Sequence, residues 1–239
     1  MAAGTQATEA EQEYLESLFW LFEAGLPMTA ANLARAMRLS APTVSEMMGR
    51  LERDGYISRD ADRTISFTDS GREDAERIVS RHRMIERFLT DVVGVPWDEV
   101  HEEAERLEHA MTPRFEAYVR SSVGDARTCP HGHPIKVGQR IDGVPLADCA
   151  LGSTVTILRL ENEAEDLLHY LRASGIFPGL SGKVSAKDDE TITVTGDDGD
   201  PATLTISVAE TVSVTAEPSP PPRIALPEQL VLGQGRYGR

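Results

Sequence analysis

Two histidines and four glutamates lie within eleven residues, HEEAERLEHAM, from His101 to Met111. At 3.6 residues per turn, His101, Glu105, Glu108 and His109 fall on one face of a helix. Imidazole and carboxylate groups are the ligands of hard and borderline divalent first-row metal ions. The spacing therefore indicates a metal site, with a solvated helix face making i, i+4 contacts as the alternative.

Two other segments carry the same side chains at helical spacing. Glu13 and Glu16 are three residues apart near the start of the first predicted helix, and His82 and Glu86 are four apart on a long predicted helix. His82 and His109 each have apolar neighbours, which favours a buried site over a solvated face. Three helices would then contribute to one divalent-cation centre.

The sequence around and after Glu13 and Glu16 predicts a winged helix-turn-helix. Apolar spacing predicts a helix over Tyr14–Glu23, and Thr29 caps a short helix that runs to about Met37. A third helix covers Ala41–Asp54, with Ser40 as its cap and a proline in its first turn. The following segment, YISRDADRTISFT, predicts two strands joined by a polar turn.

The rest of the chain divides into a helical unit and a β unit. A long helix is predicted from about Ser70 to Val93, followed by the helix of the opening segment and by another in TPRFEAYVRSSVG. After a Gly- and Pro-rich loop, Cys129–Pro145, five segments alternate β-branched and polar residues, with one helix between them. The fold class is mainly α with a C-terminal β domain, a small five-stranded barrel. The predicted units are residues 1–73, 74–145 and 146–216, with a flexible tail at 217–239.

Composition favours a cytoplasmic protein with reduced cysteines. No run approaches the roughly 20 apolar residues of a membrane helix, and the N-terminus lacks a signal-peptide pattern. The 39 acidic and 24 basic residues give a net charge of −15, which argues against binding to nucleic acid. The segment from Thr29 to Arg83 differs, with ten arginines against nine acidic residues, so the total charge decides little.

Three motifs resemble the diphtheria toxin repressor family of metal-dependent transcriptional regulators. They are APTVSEMMGRLERDGY, RHRMIERFLTDVVG and WDEVHEEAERLEHAM, and the resemblance extends from about Glu11 to Pro145. The β unit resembles the SH3-like third domain of longer members. The resemblance implies a homodimer that binds operator DNA and represses metal-uptake genes when metal is bound. It implies neither an enzyme nor a protein with a small-molecule substrate.

The resemblance also implies two adjacent metal sites per protomer. In iron-responsive members the positions of Glu13 and Glu105 carry methionine and cysteine, so this chain is closer to the manganese pattern. Mn²⁺ is therefore the expected cofactor, with Fe²⁺ as the alternative and Zn²⁺ or Co²⁺ as expected substitutes in vitro. The implied ligands are Glu13, Glu16, His82, Glu86, His101, Glu105, Glu108 and His109, with Glu163 and Asp166 from the third domain.

The same resemblance assigns a DNA-reading face. Residues at the start of the third helix approach base edges, and arginines farther along it and in the wing contact phosphate. Glu46 stands where several members have glutamine. The assigned residues are Ser40, Pro42, Thr43, Glu46, Arg50, Arg53, Arg59 and Arg63.

Several alternatives remain open at this point. A winged-helix regulator that senses an organic ligand is one, although an aromatic content of 5% disfavours an apolar pocket. A di-metal enzyme is another, but no nucleophile or general base is left over. Met84, Phe88 and Leu89 form either a dimer face or intramolecular core. The CPHGHP segment, with His131 and His133, is interpreted as a structural crossing rather than a third metal site.

Overall fold

The computed structural model describes residues 7–60, 64–138 and 142–217. Arg63 and the Pro-rich tail lie outside these ranges. In the described part of the chain, no helix combines the length and the apolar character needed to cross a membrane.

The N-terminal unit is a winged helix-turn-helix, as predicted. Thr29 and Ser40 cap the second and third helices by accepting hydrogen bonds from the backbone N–H groups of Asn32 and Thr43. The first helix begins earlier than its apolar pattern predicted, because Thr8 and Glu11 form a capping box that starts it at Glu9. The elements are α1 (Glu9–Glu23), α2 (Ala30–Ala36), α3 (Ala41–Arg53), β1 (Ile57–Arg59) and β2 (Ile65–Phe67).

The helical unit packs against α1 through its longest helix, α4 (Asp69–Phe88). The predicted single helix to Val93 changes at Leu89 into a π-helical turn, which ends at Gly94 in the left-handed conformation. Two helices follow, α5 (Val100–Glu108) and α6 (Pro113–Val123). His109 is the C-cap of α5 and not a residue of its interior.

The C-terminal unit is a six-stranded antiparallel sheet, with one strand more than predicted. The additional strand, β3 (Val144–Pro145), is only two residues long and lies in the segment interpreted as a loop. The predicted strand ATLTISV ends at Thr205, whose hydroxyl caps the short helix α8 (Ile206–Ala209). The other elements are β4 (Thr154–Leu160), α7 (Glu165–Ala173), β5 (Ser181–Lys187), β6 (Thr191–Gly196), β7 (Pro201–Thr205) and β8 (Val212–Glu217), and the strand order is β3-β8-β4-β5-β6-β7.

Separate apolar cores support these units, and the smaller cores decide one open alternative. Met84 is 1% exposed and packs with Val119 and Ile135. Leu89 is buried with residues of α4 and α5. Both residues belong to the intramolecular core, so the structure favours the core alternative over the dimer-face alternative for these two.

Two ion pairs, each with one buried partner, connect the units. The guanidinium of Arg83 on α4 contacts Glu23 at the end of α1 and donates a hydrogen bond to the Pro134 carbonyl at 3.0 Å. Arg172 on α7 pairs with the buried Asp98 just before α5. These contacts place the metal-ligand candidates of all three units next to one another.

Candidate metal centre and DNA-reading face

Donor atoms from two helices and one loop converge at a buried point. His82 Nε2 is 3.1 Å from Glu86 Oε1 and 3.2 Å from His101 Nδ1. His101 Nδ1 in turn lies 3.1 Å from Glu86 Oε1 and 2.9 Å from Glu163 Oε2. Glu163 comes from the turn after β4, so the sheet domain closes this group.

These separations fit a divalent cation. Bonds of about 2.1 Å place neighbouring ligand atoms about 3.0–3.4 Å apart in octahedral or tetrahedral geometry. His82 Nε2 and His101 Nδ1 lie 3.2 Å apart, a separation that two ligand atoms of one cation would have. The donor set of imidazole and carboxylate suits Mn²⁺, Fe²⁺ or Zn²⁺.

A second group lies directly beside the first and includes a carboxylate from α1. His82 Nδ1 is 2.8 Å from Glu108 Oε2 and 3.7 Å from Glu16 Oε1. Glu16 is 0% exposed, and neither of its carboxylate oxygens has a hydrogen-bond partner within the described ranges. Burying an ionised carboxylate without hydrogen bonds costs on the order of several kcal/mol, so Glu16 is stabilised by a proton, by a charged His82 or by a bound cation.

A third group forms the outer edge of the centre. Glu13 on α1, Glu9 and His109 bring ligand atoms within 4.8 Å of one another. His109 Nδ1 also lies 3.2 Å from Gln12 Oε1. Burial raises the pKa of Glu13 to about 7, and the negative charges of Glu9, Glu105 and Glu108 add to the increase.

Burial and neighbouring charges shift the pKa values of several groups in the centre. Burial would lower the pKa of His82, but Glu86 and Glu108 raise it well above its usual range. The pKa of Glu86 is held well below its usual range, because the charges of His131 and His82 outweigh the effect of burial. Burial raises the pKa of Glu16, assisted by the charge of Glu108. A cation that enters must displace these protons.

The structure brings together most of the metal-ligand candidates predicted from sequence, with one exception. Glu105 joins the group through its Oε1, 3.4 Å from His101 Nε2. Asp166 lies exposed in the first turn of α7, where its Oδ1 accepts a hydrogen bond from the Leu167 N–H. Among the described residues it is in none of the potential metal-binding groups, so the structure gives no support to Asp166 as a ligand. The candidates that converge are Glu13, Glu16, His82, Glu86, His101, Glu105, Glu108, His109 and Glu163.

The CPHGHP loop, interpreted from the sequence as a structural crossing, lies beside the metal-ligand candidates. His131 is completely buried, with Nδ1 3.2 Å from Glu86 Oε1, and Nε2 2.7 Å from the Trp97 carbonyl oxygen. Cys129 can contribute its sulfur to a group with Glu86 and His131. His133 Nε2 lies 3.3 Å from Glu163 Oε1. The signal was the Cys-x-His-x-His spacing itself, since three potential ligands stood together in one short loop.

At the start of α3, the residues of the predicted DNA-reading face are exposed, as contact with DNA requires. Ser40, Pro42, Thr43 and Glu46 are exposed. The Ser40 and Thr43 hydroxyl oxygens are 2.7 Å apart. These small polar side chains leave the end of the helix open to a groove.

The arginines differ in their surroundings. Arg53 is exposed on the surface of α3. Arg59 in the wing pairs with Glu52 at 2.8 Å, and Arg50 pairs with Glu11 of α1 at 2.9 Å. The predicted phosphate contacts at Arg50 and Arg59 therefore already have carboxylate partners, and Arg63 lies outside the described residues.

A winged helix-turn-helix joined to a buried imidazole–carboxylate centre defines the class of metal-dependent DNA-binding regulators. Residues 6–65 match the family described as iron dependent repressor, N-terminal DNA binding domain. Residues 68–136 match its metal binding and dimerisation domain, and residues 144–216 match the FeoA domain. The chain belongs to the diphtheria toxin repressor and IdeR family of metal-dependent transcriptional repressors.

Individual relatives match between about half and most of the chain. The iron-dependent repressor IdeR of Mycobacterium tuberculosis is 30% identical over 225 residues, which cover 87% of this chain and 98% of IdeR. The diphtheria toxin repressor of Corynebacterium jeikeium is 36% identical over 138 residues, 57% of this chain and 58% of that repressor. A solved structure of a manganese-dependent transcriptional repressor in complex with manganese superposes with a TM-score of 0.78 at 31% identity, covering 86% of this chain and 99% of that one. The family consists of DNA-binding repressors and not enzymes, which removes the di-metal enzyme as an alternative.

Proposed function

We propose that this repressor responds to Mn²⁺, binds two ions per protomer and represses metal-uptake genes. The observation that carries the proposal is the buried carboxylate of Glu16, which has no hydrogen-bond partner in the described chain and lies 3.7 Å from His82. Glu13 and Glu105 support manganese, because both positions offer oxygen rather than sulfur. The ligands we assign are Glu13, Glu16, His82, Glu86, His101, Glu105, Glu108, His109 and Glu163, with His131 as an additional candidate.

The geometry explains how such a centre controls DNA binding. A bound divalent cation supplies the positive charge that neutralises carboxylates from different units. Glu13 and Glu16 are on α1, which packs on the helix-turn-helix, whereas Glu105 and Glu108 are on α5. With these carboxylates ionised and no cation, their mutual repulsion loosens α1 from α5. When these carboxylates are held together, α1 and α5 fix the orientation of α3. Metal binding and DNA binding then favour each other reciprocally.

We further propose that the π-helical turn and α6 form the homodimer face. Val92 and Val93 in the turn are 53% and 59% exposed, and Phe115 and Tyr118 on α6 are 49% and 58% exposed. The two elements pack beside each other. Large apolar side chains that are exposed together mark an association surface. A dimer would place two α3 helices on one operator duplex, and a repressor of chromosomal genes would act in the cytoplasm.

Iron remains the second candidate because of one specific observation. The sulfur of Cys129 can join Glu86 and His131 in a potential ligand group. A thiolate favours softer ions than a set made only of oxygen and nitrogen atoms. The names of the relatives include both iron- and manganese-dependent repressors.

The test measures metal content and DNA retention together. A duplex is first selected from a random pool by the Mn²⁺-loaded protein, and its affinity is then measured with chelator, Mn²⁺, Fe²⁺ or Zn²⁺ under anaerobic conditions. We expect calorimetry to give two Mn²⁺ per protomer. We also expect the Kd for DNA to be lower with Mn²⁺ at cellular concentrations than with Fe²⁺, Zn²⁺ or chelator. Tight DNA binding with chelator would contradict metal control, and a preference for Fe²⁺ would contradict the assignment of manganese.

A further inference from the structure

One buried carboxylate connects α1 to the last turn of the DNA-reading helix. Glu11 Oε1 lies 2.9 Å from Arg50 Nε on α3. The Glu11 side chain is only 4% exposed, whereas that of Arg50 is 43% exposed. The pair therefore joins two helices that are far apart in sequence, with its acidic half inside the protein.

The other oxygen of the same carboxylate organises the start of α1. The backbone N–H and the hydroxyl of Thr8 both donate to Glu11 Oε2, each at 2.7 Å. This is the capping-box arrangement, in which the residue at the third helical position returns to the cap. Glu11 thus divides its two oxygens between the first turn of α1 and Arg50. A change in the first turn of α1 must move Arg50 or break the contact.

The pair also lies between the two functional ends of the molecule. Glu13 and Glu16 follow Glu11 within the next turn and a half of α1 and face the metal centre. Arg50 lies on the same helix as the exposed Thr43, which is at the reading end. The second carboxylate near Arg50, Asp54, is 3.7 Å away and exposed, so it provides a weaker contact.

We propose that Glu11 and Arg50 are positioning residues that transmit the metal-set orientation of α1 to the reading helix. This inference rests on the proposed function, because it assigns the route by which the metal centre controls DNA binding. The Arg50 guanidinium is then committed mainly to Glu11, in contrast to Arg53, which is exposed on α3 and suited to phosphate. Loss of the pair reduces the coupling between metal and DNA while the metal centre remains complete.

The test is the ratio of DNA affinities with saturating Mn²⁺ and with chelator, measured for wild type, Glu11→Gln, Arg50→Gln and the double variant. Glutamine also forms capping boxes, so Glu11→Gln keeps the bond to Thr8 and removes the charge that faces Arg50. We expect the ratio to fall roughly fivefold or more in each single variant, with no additional loss in the double variant. Mn²⁺ affinity without DNA should stay within about twofold of wild type in all three.

Arg53→Gln is the matched control from the same helix. Because Arg53 is assigned as a phosphate contact, its replacement should weaken DNA binding equally with and without metal. It should also reduce the salt dependence of binding by about one counterion. The inference is overturned if Glu11→Gln leaves the ratio unchanged, or if Arg50→Gln behaves like Arg53→Gln. If circular dichroism shows that Glu11→Gln unfolds α1, the Arg50→Gln variant decides the question alone. If wild type itself shows no metal dependence, the proposed function fails, which is a separate outcome.

Discussion

At the residue scale, Glu13 determines how the outer edge of the centre responds to pH. Its pKa is raised to about 7, from a value of 4.5 without the fold, by burial and by the charges of Glu9, Glu105 and Glu108. The folded protein therefore holds this proton more tightly than the unfolded chain. The corresponding stability is fully present below pH 4.5 and is lost as pH rises through about 7.

Metal affinity should change with pH in the opposite direction. A cation must displace the Glu13 proton below pH 7, so this residue contributes up to about tenfold in Mn²⁺ affinity per pH unit between pH 5 and 7. We predict that Glu13→Gln binds Mn²⁺ more weakly and with a slope reduced by about one proton. Calorimetry in buffers of different ionisation enthalpy measures both the affinity and the proton release. An identical pH slope in the variant would show that Glu13 does not exchange its proton for metal.

At the scale of elements, a π-helical turn follows α4 and ends at Gly94. It leaves Val92 and Val93 exposed, whereas a continued α-helix was expected from the sequence. The side chains of Phe88 and Phe115 lie with ring centroids 6.4 Å apart, joining this region to α6. This contact supports the proposed dimer face, which combines the exposed side chains of the turn and of α6.

We predict that Val93→Glu with Tyr118→Glu disrupts the dimer. Charges placed in an apolar interface must be desolvated without partners, so the dimer Kd should rise by at least about tenfold. Sedimentation equilibrium measures this Kd. Leu151→Glu is the control, since Leu151 is 65% exposed on the sheet domain. A dimer Kd equal to that of the control would rule out this face.

The sequence predicted the helices that carry ligands better than it predicted the loops. Helical periodicity places His82 with Glu86 and His101 with Glu105, because these pairs depend only on 3.6 residues per turn. His131 could not be placed in the same way, since its position depends on how a Gly- and Pro-rich loop returns over α4. Asp166 was expected to act with Glu163, but it lies on the exposed first turn of α7.

At the scale of the whole molecule, the sheet domain completes the centre from outside. Glu163 reaches His101, and the ion pair between Arg172 and the buried Asp98 holds α7 against the helical unit. His169 Nε2 lies 3.6 Å from the same Asp98 carboxylate. We therefore expect the position of Glu163 to depend on the contacts of Asp98, which are separate from the ligands themselves.

We predict that Arg172→Ala weakens Mn²⁺ binding by about threefold or more, because a smaller fraction of molecules keeps Glu163 in place. Glu163→Gln should weaken it further, and adding Arg172→Ala to Glu163→Gln should change little more. A calorimetric titration with Mn²⁺ that resolves the affinities of the two sites separates these effects. Arg106→Ala is the control, since Arg106 is exposed on α5 and pairs with Glu102 and Glu103. Equal affinities for Arg172→Ala and Arg106→Ala would contradict the docking role.

The central claim is that a cation bound at the buried carboxylates of α1 controls DNA binding. The most direct measurement is fluorescence anisotropy of a selected duplex titrated with protein, with Mn²⁺ or with chelator. It compares wild type, Glu16→Gln and the control Glu103→Gln, which alters an exposed acid of α5 outside the centre. We predict that Mn²⁺ tightens DNA binding by at least about tenfold in wild type and in Glu103→Gln, and that Glu16→Gln loses most of this gain. Equal DNA affinity of wild type with Mn²⁺ and with chelator, or a full Mn²⁺ response in Glu16→Gln, would contradict the claim.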